Sequence, residues 1–300
     1  MNESRATLAI DCRCRLGEGI LWCDRRQALY WTDITGARLW THHPGSGATR
    51  SWPMPAPLGC LALCEDGRLL LGLAKALALA DPARAGDELP LEHVIDVEPG
   101  LAHTRVNDGR ADRHGGFVFG TKCELPGGAR CGAFYRYSFR HGLTRLGLPA
   151  AAIPNSICFS RDGRTMYHCD SVDREIRCCD YDAENASVSR ERTFAKIDAA
   201  GASPDGSIMD ADGNLWNAQW GAARVVAYSP DGREHARVSV PAKNPSCCAF
   251  GGAALDRLYV TTAREEMSEP ELAATPEAGG VYVALPAGAR GLPESRVAAP

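Results

Sequence analysis

The sequence predicts an all-β fold, namely a six-bladed β-propeller with four-stranded blades around a central channel. A short apolar and aromatic run recurs six times, each time after an acidic or glycine-containing turn. The central residues of these runs are 40, 48, 49, 49 and 43 positions apart, and they are Tyr30, Leu70, Val118, Tyr167, Trp216 and Tyr259. This period is typical of propeller blades that contain four strands each.

Neither composition nor charge divides the chain, so we expect one propeller domain over residues 1–300. The formal net charge is −4 and like charges form no block, so nucleic acid and anionic membranes are not expected partners. The most apolar run, residues 69–80, is too short to span a bilayer, and the N-terminus lacks the pattern of a secretory signal. We therefore expect a cytoplasmic monomer or weak oligomer that binds a small molecule.

Turn residues assign the strands inside each repeat. The predicted strands of the fourth and fifth repeats cover residues 155–159, 165–169, 174–181, 206–210, 215–218 and 224–228. The N-terminal strand, within residues 6–16, has no blade ahead of it. We expect it to close the ring by pairing with the last blade around residues 281–285, because closure removes exposed sheet edges.

Thirteen cysteines are many for a chain of this kind. No CxxC pair recurs with the spacing of a zinc site. Three pairs are too close along the chain for ordinary disulfides, and they are Cys12 with Cys14, Cys178 with Cys179, and Cys247 with Cys248. We therefore expect reduced thiols that fill small core positions and have no metal or redox role.

Polar residues where the innermost strands begin are the candidates for chemistry. In a propeller these strand starts converge on one end of the channel, so residues distant in sequence become neighbours there. The residues at four such positions are Glu18, Asn107, Asn155 and Asp205. All four side chains carry oxygen donors, two of them anionic, and no His or Cys occupies an equivalent place. This set suits Ca²⁺, Mg²⁺ or Mn²⁺, while Zn²⁺ is less natural.

Each of these residues also has a purely structural interpretation. Asn-Asp-Gly and Asp-Gly are common turn sequences, because Asn and Asp tolerate the left-handed region and Gly adopts positive φ. Residues 105–109 are expected to form such a loop before the strand-like run at 115–121, and the Asp108 side chain is expected to serve the turn. A functional site is favoured because four such residues occupy the same position in four repeats.

Several ordered motifs extend over nearly the whole chain. They are Leu16-Gly17-Glu18-Gly19 with Leu21-Trp22, Arg105-x-Asn107-Asp108-Gly109-x-x-Asp112 leading to Phe119-Gly120-Thr121, Pro204-Asp205-Gly206, and the stretch 246–252. Together they resemble the SMP-30/gluconolactonase/regucalcin family of six-bladed propellers, in its bacterial sugar-lactonase branch. The resemblance implies one divalent metal ion, Ca, Mn, Mg or Zn, held by Glu18, Asn155 and Asp205. It also implies that Arg105, Asn107 and Glu124 bind the substrate.

The activity implied by the resemblance is hydrolysis of the ring ester of an aldonolactone, such as glucono-, galactono-, arabinono- or xylonolactone. The metal would polarise the lactone carbonyl while Asp205, as the general base, takes a proton from the attacking water. Lys122 departs from the family, which often carries Met at this place, and the departure bears on substrate preference. Two alternatives stay open, a non-catalytic calcium-binding or metal-binding regulatory propeller and a phosphotriesterase-like hydrolase on the same fold.

Overall fold

The structure is a computed structural model and describes residues 2–299. Regular structure is nearly all β-strand, because short runs of β-branched, aromatic and leucine residues alternate with turns that contain Gly, Asp or Asn. The strands form six sheets around one channel, which confirms the predicted six-bladed propeller. Within the described residues, no helix has the length and apolar character needed to cross a membrane.

Two short strands precede the first blade, and they are β1 (Asn2–Arg5) and β2 (Thr7–Ile10). Blade 1 consists of β3 (Gly17–Cys23), β4 (Ala28–Asp33), β5 (Arg38–His43) and β6 (Ala48–Pro53). Blade 2 consists of β7 (Leu58–Cys64), β8 (Leu69–Leu73), β9 (Ala76–Ala80) and β10 (Leu91–Asp96). Blade 3 consists of β11 (Thr104–Ala111), β12 (Phe117–Cys123), β13 (Phe134–Ser138) and β14 (Gly142–Arg145).

Blade 4 consists of β15 (Pro154–Phe159), β16 (Thr165–Asp170), β17 (Glu175–Asp182) and β18 (Ser187–Lys196), with a 3₁₀ turn at Ser171–Asp173. Blade 5 consists of β19 (Ser203–Met209), β20 (Leu215–Trp220), β21 (Arg224–Tyr228) and β22 (Glu234–Ser239). Blade 6 takes β23 (Asn244–Gly251), β24 (Arg257–Ala263) and β25 (Val281–Ala284), with helix α1 (Glu269–Ala274) inserted before β25. The last strand is β26 (Arg296–Val297).

The N-terminal strand closes the ring, as predicted. β2 pairs antiparallel with β25, with Thr7 opposite Val283 and Leu8 opposite Tyr282. Blade 6 therefore combines three strands from the end of the chain with one from its beginning. Without β2, the outer edge of β25 would expose unpaired N–H and C=O groups. β1 adds a fifth strand to blade 5 by pairing parallel with β22.

Every inner strand contains a β-bulge near its beginning. The inner strands β3, β7, β11, β15, β19 and β23 contact one another in this order around the channel, and β23 contacts β3. In each of them the pairing register shifts by one residue close to the strand start. A bulge puts two residues opposite one and re-aims their side chains. The bulges thus decide which polar side chains point into the channel.

The C-terminal segment closes the far end of the channel. β26 pairs parallel with the end of β7, and Gly291 forms a bridge with Asp210 just after β19. The Ala298 N–H donates to the Gly115 carbonyl at 3.0 Å. These contacts all lie where inner strands end, so the segment covers the end of the channel opposite the strand starts.

Most cysteines are core residues, as predicted, but one pair is not. Ten of the eleven free cysteines are buried, and Cys12 is half-buried. Cys123 and Cys131 instead form a disulfide with Cα atoms 5.2 Å apart, so the prediction that all thirteen thiols are reduced is wrong. Cys123 ends β12, and the loop after it folds back against Thr121 and Ala151, which brings Cys131 within disulfide distance. This disulfide depends on the path of the loop, and the spacing of the cysteines along the sequence does not reveal that path.

Candidate functional site

One cavity of about 250 Å³ opens at the channel end where the inner strands begin. Five of the six blades contribute polar or apolar side chains to its wall. The polar and charged lining residues are Glu18, Arg105, Asn107, Lys122, Asn155, Ser171, Ser203, Asp205, Glu265 and Glu266. Leu16, Ile34, Ile153, Val172 and Trp220 line it as well. A small pocket with an apolar rim and converging polar groups is typical of a small-molecule site.

The structure brings the four candidates from the inner strands together, although it places them in strands and not in loops. Glu18, Asn107, Asn155 and Asp205 all line the cavity and are buried. Each lies at the bulge of its strand, and residues 105–109 belong to β11. The predicted loop at 105–109 is therefore wrong. Gly, Asn and Asp are common there because a bulge demands unusual backbone angles, as a turn does.

Glu18 and Asp205 are two buried carboxyl groups that lie close enough to shift each other's pKa. Burial, with the charge of Asp108, raises the pKa of Glu18 to about 8. Burial and the neighbouring charge of Glu18 also raise the pKa of Asp205 well above its usual range. The Gly19 N–H donates to Glu18 Oε2 at 3.1 Å, whereas Asp205 Oδ1 has no hydrogen-bond partner within residues 2–299. Such a pair is unfavourable unless a proton or a cation compensates its charge.

A chain of hydrogen bonds orients the amides beside these carboxyl groups. Arg105 Nη1 donates to Asn107 Oδ1 at 2.8 Å, and Asn107 Nδ2 donates to Asn155 Oδ1 at 3.0 Å. Asn155 Nδ2 donates to Ser171 Oγ at 2.9 Å, and the Ser171 hydroxyl donates to the Pro204 carbonyl at 2.8 Å. The chain links blades 3, 4 and 5 next to Asp205. It leaves the Asn155 oxygen with one acceptor position free for a ligand.

Asp108 joins two blades and does not serve a turn, so that prediction is wrong. Its Oδ2 accepts a hydrogen bond from the Ile157 N–H of β15 at 2.8 Å. The side chain is buried, and burial raises the pKa of its carboxyl group. Because residue 108 is part of the bulge in β11, its side chain points to the neighbouring blade. It therefore holds the strand that carries Asn155 against the strand that carries Asn107.

Arg105 lies in the cavity wall, and Glu124 lies outside the wall. The Arg105 side chain is buried, and its Nε is 3.4 Å from Glu124 Oε1. The Glu124 side chain is 51% exposed and does not line the cavity. Lys122 is directly opposite Arg105 in the antiparallel pair of β11 and β12, and both side chains line the cavity. In this structure Glu124 contacts Arg105, and its contact with the sugar stays a prediction.

Several cavity residues that were not predicted as site residues lie at or just after the end of a second strand. Inner and second strands are antiparallel, so the second strand ends at the rim where the inner strand begins. Trp220 ends β20, is paired with Ser203 and lines the cavity. Glu265 and Glu266 follow β24 and line the cavity from the loop that leads to α1. A search of second-strand ends as well as inner-strand starts would have found them.

Two aspartates at the ends of second strands position the inner strands. Asp33 accepts hydrogen bonds from the N–H groups of Arg15 and Leu16, both at 3.0 Å. Asp170 accepts bonds from the N–H groups of Ala152 and Ile153 at 2.7 and 2.9 Å. Both carboxylates bind the two residues that lead into a bulged strand. They fix the direction in which β3 and β15 approach the cavity.

The donor atoms in the cavity fit a hard divalent cation. Within the described part of the chain, no three acidic, histidine or cysteine side chains gather at one point. A candidate set must therefore combine the two carboxylates of Glu18 and Asp205 with the amide oxygen of Asn155. The unpartnered Asp205 Oδ1 is the sign that the set lacks an electropositive partner. Oxygen donors from carboxylate and amide groups are ligands of Ca²⁺, Mg²⁺ and Mn²⁺.

Comparison with known proteins agrees with this architecture. A profile described as the SMP-30/Gluconolactonase/LRE-like region matches residues 16–264. A protein from Azospirillum brasilense named L-arabinolactonase is 51% identical over 93% of this chain and 91% of its own. A 6-deoxy-6-sulfogluconolactonase from Pseudomonas putida is 34% identical over 89% of this chain and 90% of its own. The crystal structure of a calcium-binding regucalcin from Agrobacterium tumefaciens is similar with a TM-score of 0.91 and 28% identity, over 99% of each chain.

Proposed function

Because the chain belongs to the SMP-30/Gluconolactonase/LRE-like family, as its motifs predict, we propose that it is a lactonase. It is a carboxylic-ester hydrolase that opens the ring ester of a sugar lactone to the aldonic acid. The observation that carries this proposal is the cavity in which the buried carboxyl groups of Glu18 and Asp205 lie beside oriented amides, with no cationic side chain paired to them among residues 2–299. Such a site is suited to polar chemistry on a small, polyhydroxylated ligand.

The residues that would hold a divalent cation are Glu18, Asn155 and Asp205. When bound, the cation supplies a Lewis acid for the lactone carbonyl. The two carboxylates would then keep their charges without the proton that their raised pKa values otherwise demand. The similarity to a regucalcin described as calcium-binding supports the cation, whose identity among Ca, Mg, Mn and Zn is left to experiment.

Asp205 is our candidate for the general base. Its Oδ1 has no hydrogen-bond partner within the described residues and is free to accept a proton from the water that attacks the lactone. Glu18 is less suited, because its Oε2 already accepts a bond from Gly19. Arg105 and Asn107 are the candidates for binding substrate oxygens, and Glu124 would act through Arg105.

The first substrate to test is L-arabinonolactone, because the relative with 51% identity is named L-arabinolactonase. A cavity of about 250 Å³ accommodates a single pentose-sized or hexose-sized ring. The enzyme is stripped of metal with a chelator and given Ca²⁺, Mg²⁺, Mn²⁺ or Zn²⁺ one at a time. Acid release from a panel of pentono- and hexonolactones is then followed at constant pH against the spontaneous rate.

We expect hydrolysis of at least one aldonolactone that falls after chelation and returns with one of the cations. Calorimetric titration gives an independent readout, in which Glu18→Ala and Asp205→Ala bind metal far more weakly than the parent and Asn155→Ala is intermediate. Asp212→Asn, an exposed change at the far end of blade 5, is the matched control. Unaltered metal affinity in both carboxylate variants would refute the metal site. Metal binding without turnover of any lactone would instead favour a binding propeller.

A further inference from the structure

The Lys122 amine is a cation without a partner in the cavity wall. Lys122 ends up there because β12 pairs antiparallel with β11, so that its side chain lies directly opposite Arg105 on the same face. No hydrogen bond or ion pair of this amine is found in the part of the chain that the structure describes. By contrast, the buried Arg136 has a partner, because its Nε donates to Asp112 Oδ2 at 2.8 Å.

Two like charges directly opposite each other destabilise a pair of strands. Arg105 is also buried and Lys122 half-buried, and burial adds a desolvation cost to both cations. Arg105 is compensated in part by Glu124 at 3.4 Å and by its bond to Asn107. Lys122 is compensated only at longer range, by the charges of Glu265, Asp205 and Glu266, none of which makes an ion pair with it. An unfavourable arrangement inside a functional cavity indicates that a ligand supplies the missing negative charge.

Opening a lactone creates a negative charge. Water adds to the carbonyl carbon, the bond from that carbon to the ring oxygen breaks, the ring oxygen takes up a proton, and the acid loses one to become a carboxylate. The substrate is neutral at this end and the product is an anion. A cationic wall therefore distinguishes the product from the substrate, whereas the sugar hydroxyl groups do not.

We propose that Lys122, beside Arg105, forms a subsite for the carboxylate that ring opening creates. The proposal rests on the lactonase function proposed above and assigns a role to a residue with no part in the metal set. A carboxylate between the two side chains accepts a charge-assisted hydrogen bond from the ammonium group and removes the repulsion between the cations. Lys122 is thus a residue that distinguishes the charged product from neutral polyols of the same size.

The test compares two ligands that share all hydroxyl groups but one and differ at one end, which is a carboxylate in the first and a neutral CH2OH group in the second. Arabinonate and arabinitol serve as competitive inhibitors and as calorimetric ligands, with metal present and after chelation. We expect the parent to bind arabinonate in preference to arabinitol, with a preference that declines as salt is added. In Lys122→Met, which nearly matches the lysine stem in length and lacks the charge, arabinonate should bind about tenfold more weakly. Arabinitol binding should change by no more than about twofold.

Lys122→Arg is the conservative control and should keep most of the preference for arabinonate, which a purely structural role of the side chain would not predict. Equal weakening of both ligands in Lys122→Met, or an unchanged preference for arabinonate, would overturn the subsite. The two proposals fail separately. If the parent prefers arabinonate but hydrolyses no lactone, the lactonase function is refuted and the anion subsite stands. If the parent hydrolyses a lactone but Lys122→Met keeps the preference for arabinonate, the subsite is refuted and the lactonase function stands.

Discussion

The two ends of the propeller both contain charged side chains, but they differ in how the charged groups that face the channel are paired within the chain. At the end covered by the C-terminal segment, Arg110 Nη1 is 2.8 Å from Glu294 Oε2. Asp112 Oδ2 there accepts bonds from Arg136 at 2.8 Å and from the Tyr181 hydroxyl at 2.7 Å. At the open end Asp205 Oδ1 and the Lys122 amine have no partners within residues 2–299. Satisfied polar groups stabilise a fold, whereas unsatisfied ones in a cavity indicate a missing ligand.

The largest expected effect is at the open end. Asp205→Asn should lower kcat/KM for the lactone by about 10³-fold, because it removes the proposed base and one of two anionic metal ligands. The same change should raise the thermal stability of the metal-free protein, since it removes a buried carboxyl whose pKa is raised by burial. Initial rates and calorimetric melting measure the two effects, with Asp212→Asn as control. Loss of activity together with loss of stability would mean that Asp205 is a structural residue.

The opposite pattern is expected at the closed end. Glu294→Ala leaves the buried Arg110 without its partner and should cost about 3 kcal/mol of unfolding free energy. Lactone kcat/KM should stay within about twofold, because Glu294 does not line the cavity. Urea unfolding and initial rates on the same preparation are the measurements, and Glu294→Gln, which keeps a hydrogen-bond acceptor, should lose less. A large fall in kcat/KM would show that the C-terminal segment shapes the active end.

The metal-free protein should also respond to pH through Glu18. Burial raises the pKa of Glu18 to about 8, so the folded state binds more protons than the unfolded state between about pH 5 and 8. The free energy of unfolding should therefore fall as the pH rises across this range, by roughly 3 kcal/mol. Glu18→Gln should flatten the dependence, and so should a saturating divalent cation, which takes the place of the proton. Melting temperatures across this pH range in chelator test it, and a stability that rises with pH would contradict the assignment.

The smallest effect distinguishes the observed contact of Glu124 from the one that the family resemblance implies. Its half-exposed ion pair with Arg105 is worth at most about 1 kcal/mol. Glu124→Gln should therefore raise the KM of the lactone about two- to fivefold and leave kcat unchanged. Steady-state kinetics with the best lactone measure this. A loss of 100-fold or more would mean that Glu124 contacts the sugar directly in the complex.

The fold and much of the site could be predicted from the sequence, and the failures have a common origin. Glu18, Asn107, Asn155 and Asp205 were found because a repeated blade places equivalent positions in one ring. The role predicted for Asp108 is wrong because turns and bulges favour the same residue types, so Asn-Asp-Gly does not distinguish between them. The bond from Asp108 to Ile157 joins two blades, and no local pattern specifies such a contact.

By itself, the sequence determined the strands, their number, the ring and its closure, because hydrophobic pattern and turn residues act over a few positions and recur with each blade. Only the tertiary structure decided that β12 presents Lys122 to Arg105, that Glu265 and Glu266 reach the cavity, and that Cys131 returns to Cys123. These contacts depend on strand register, bulge position and loop path. A shift of one residue in register turns a side chain to the other face, so such contacts are determined only when the whole propeller is assembled.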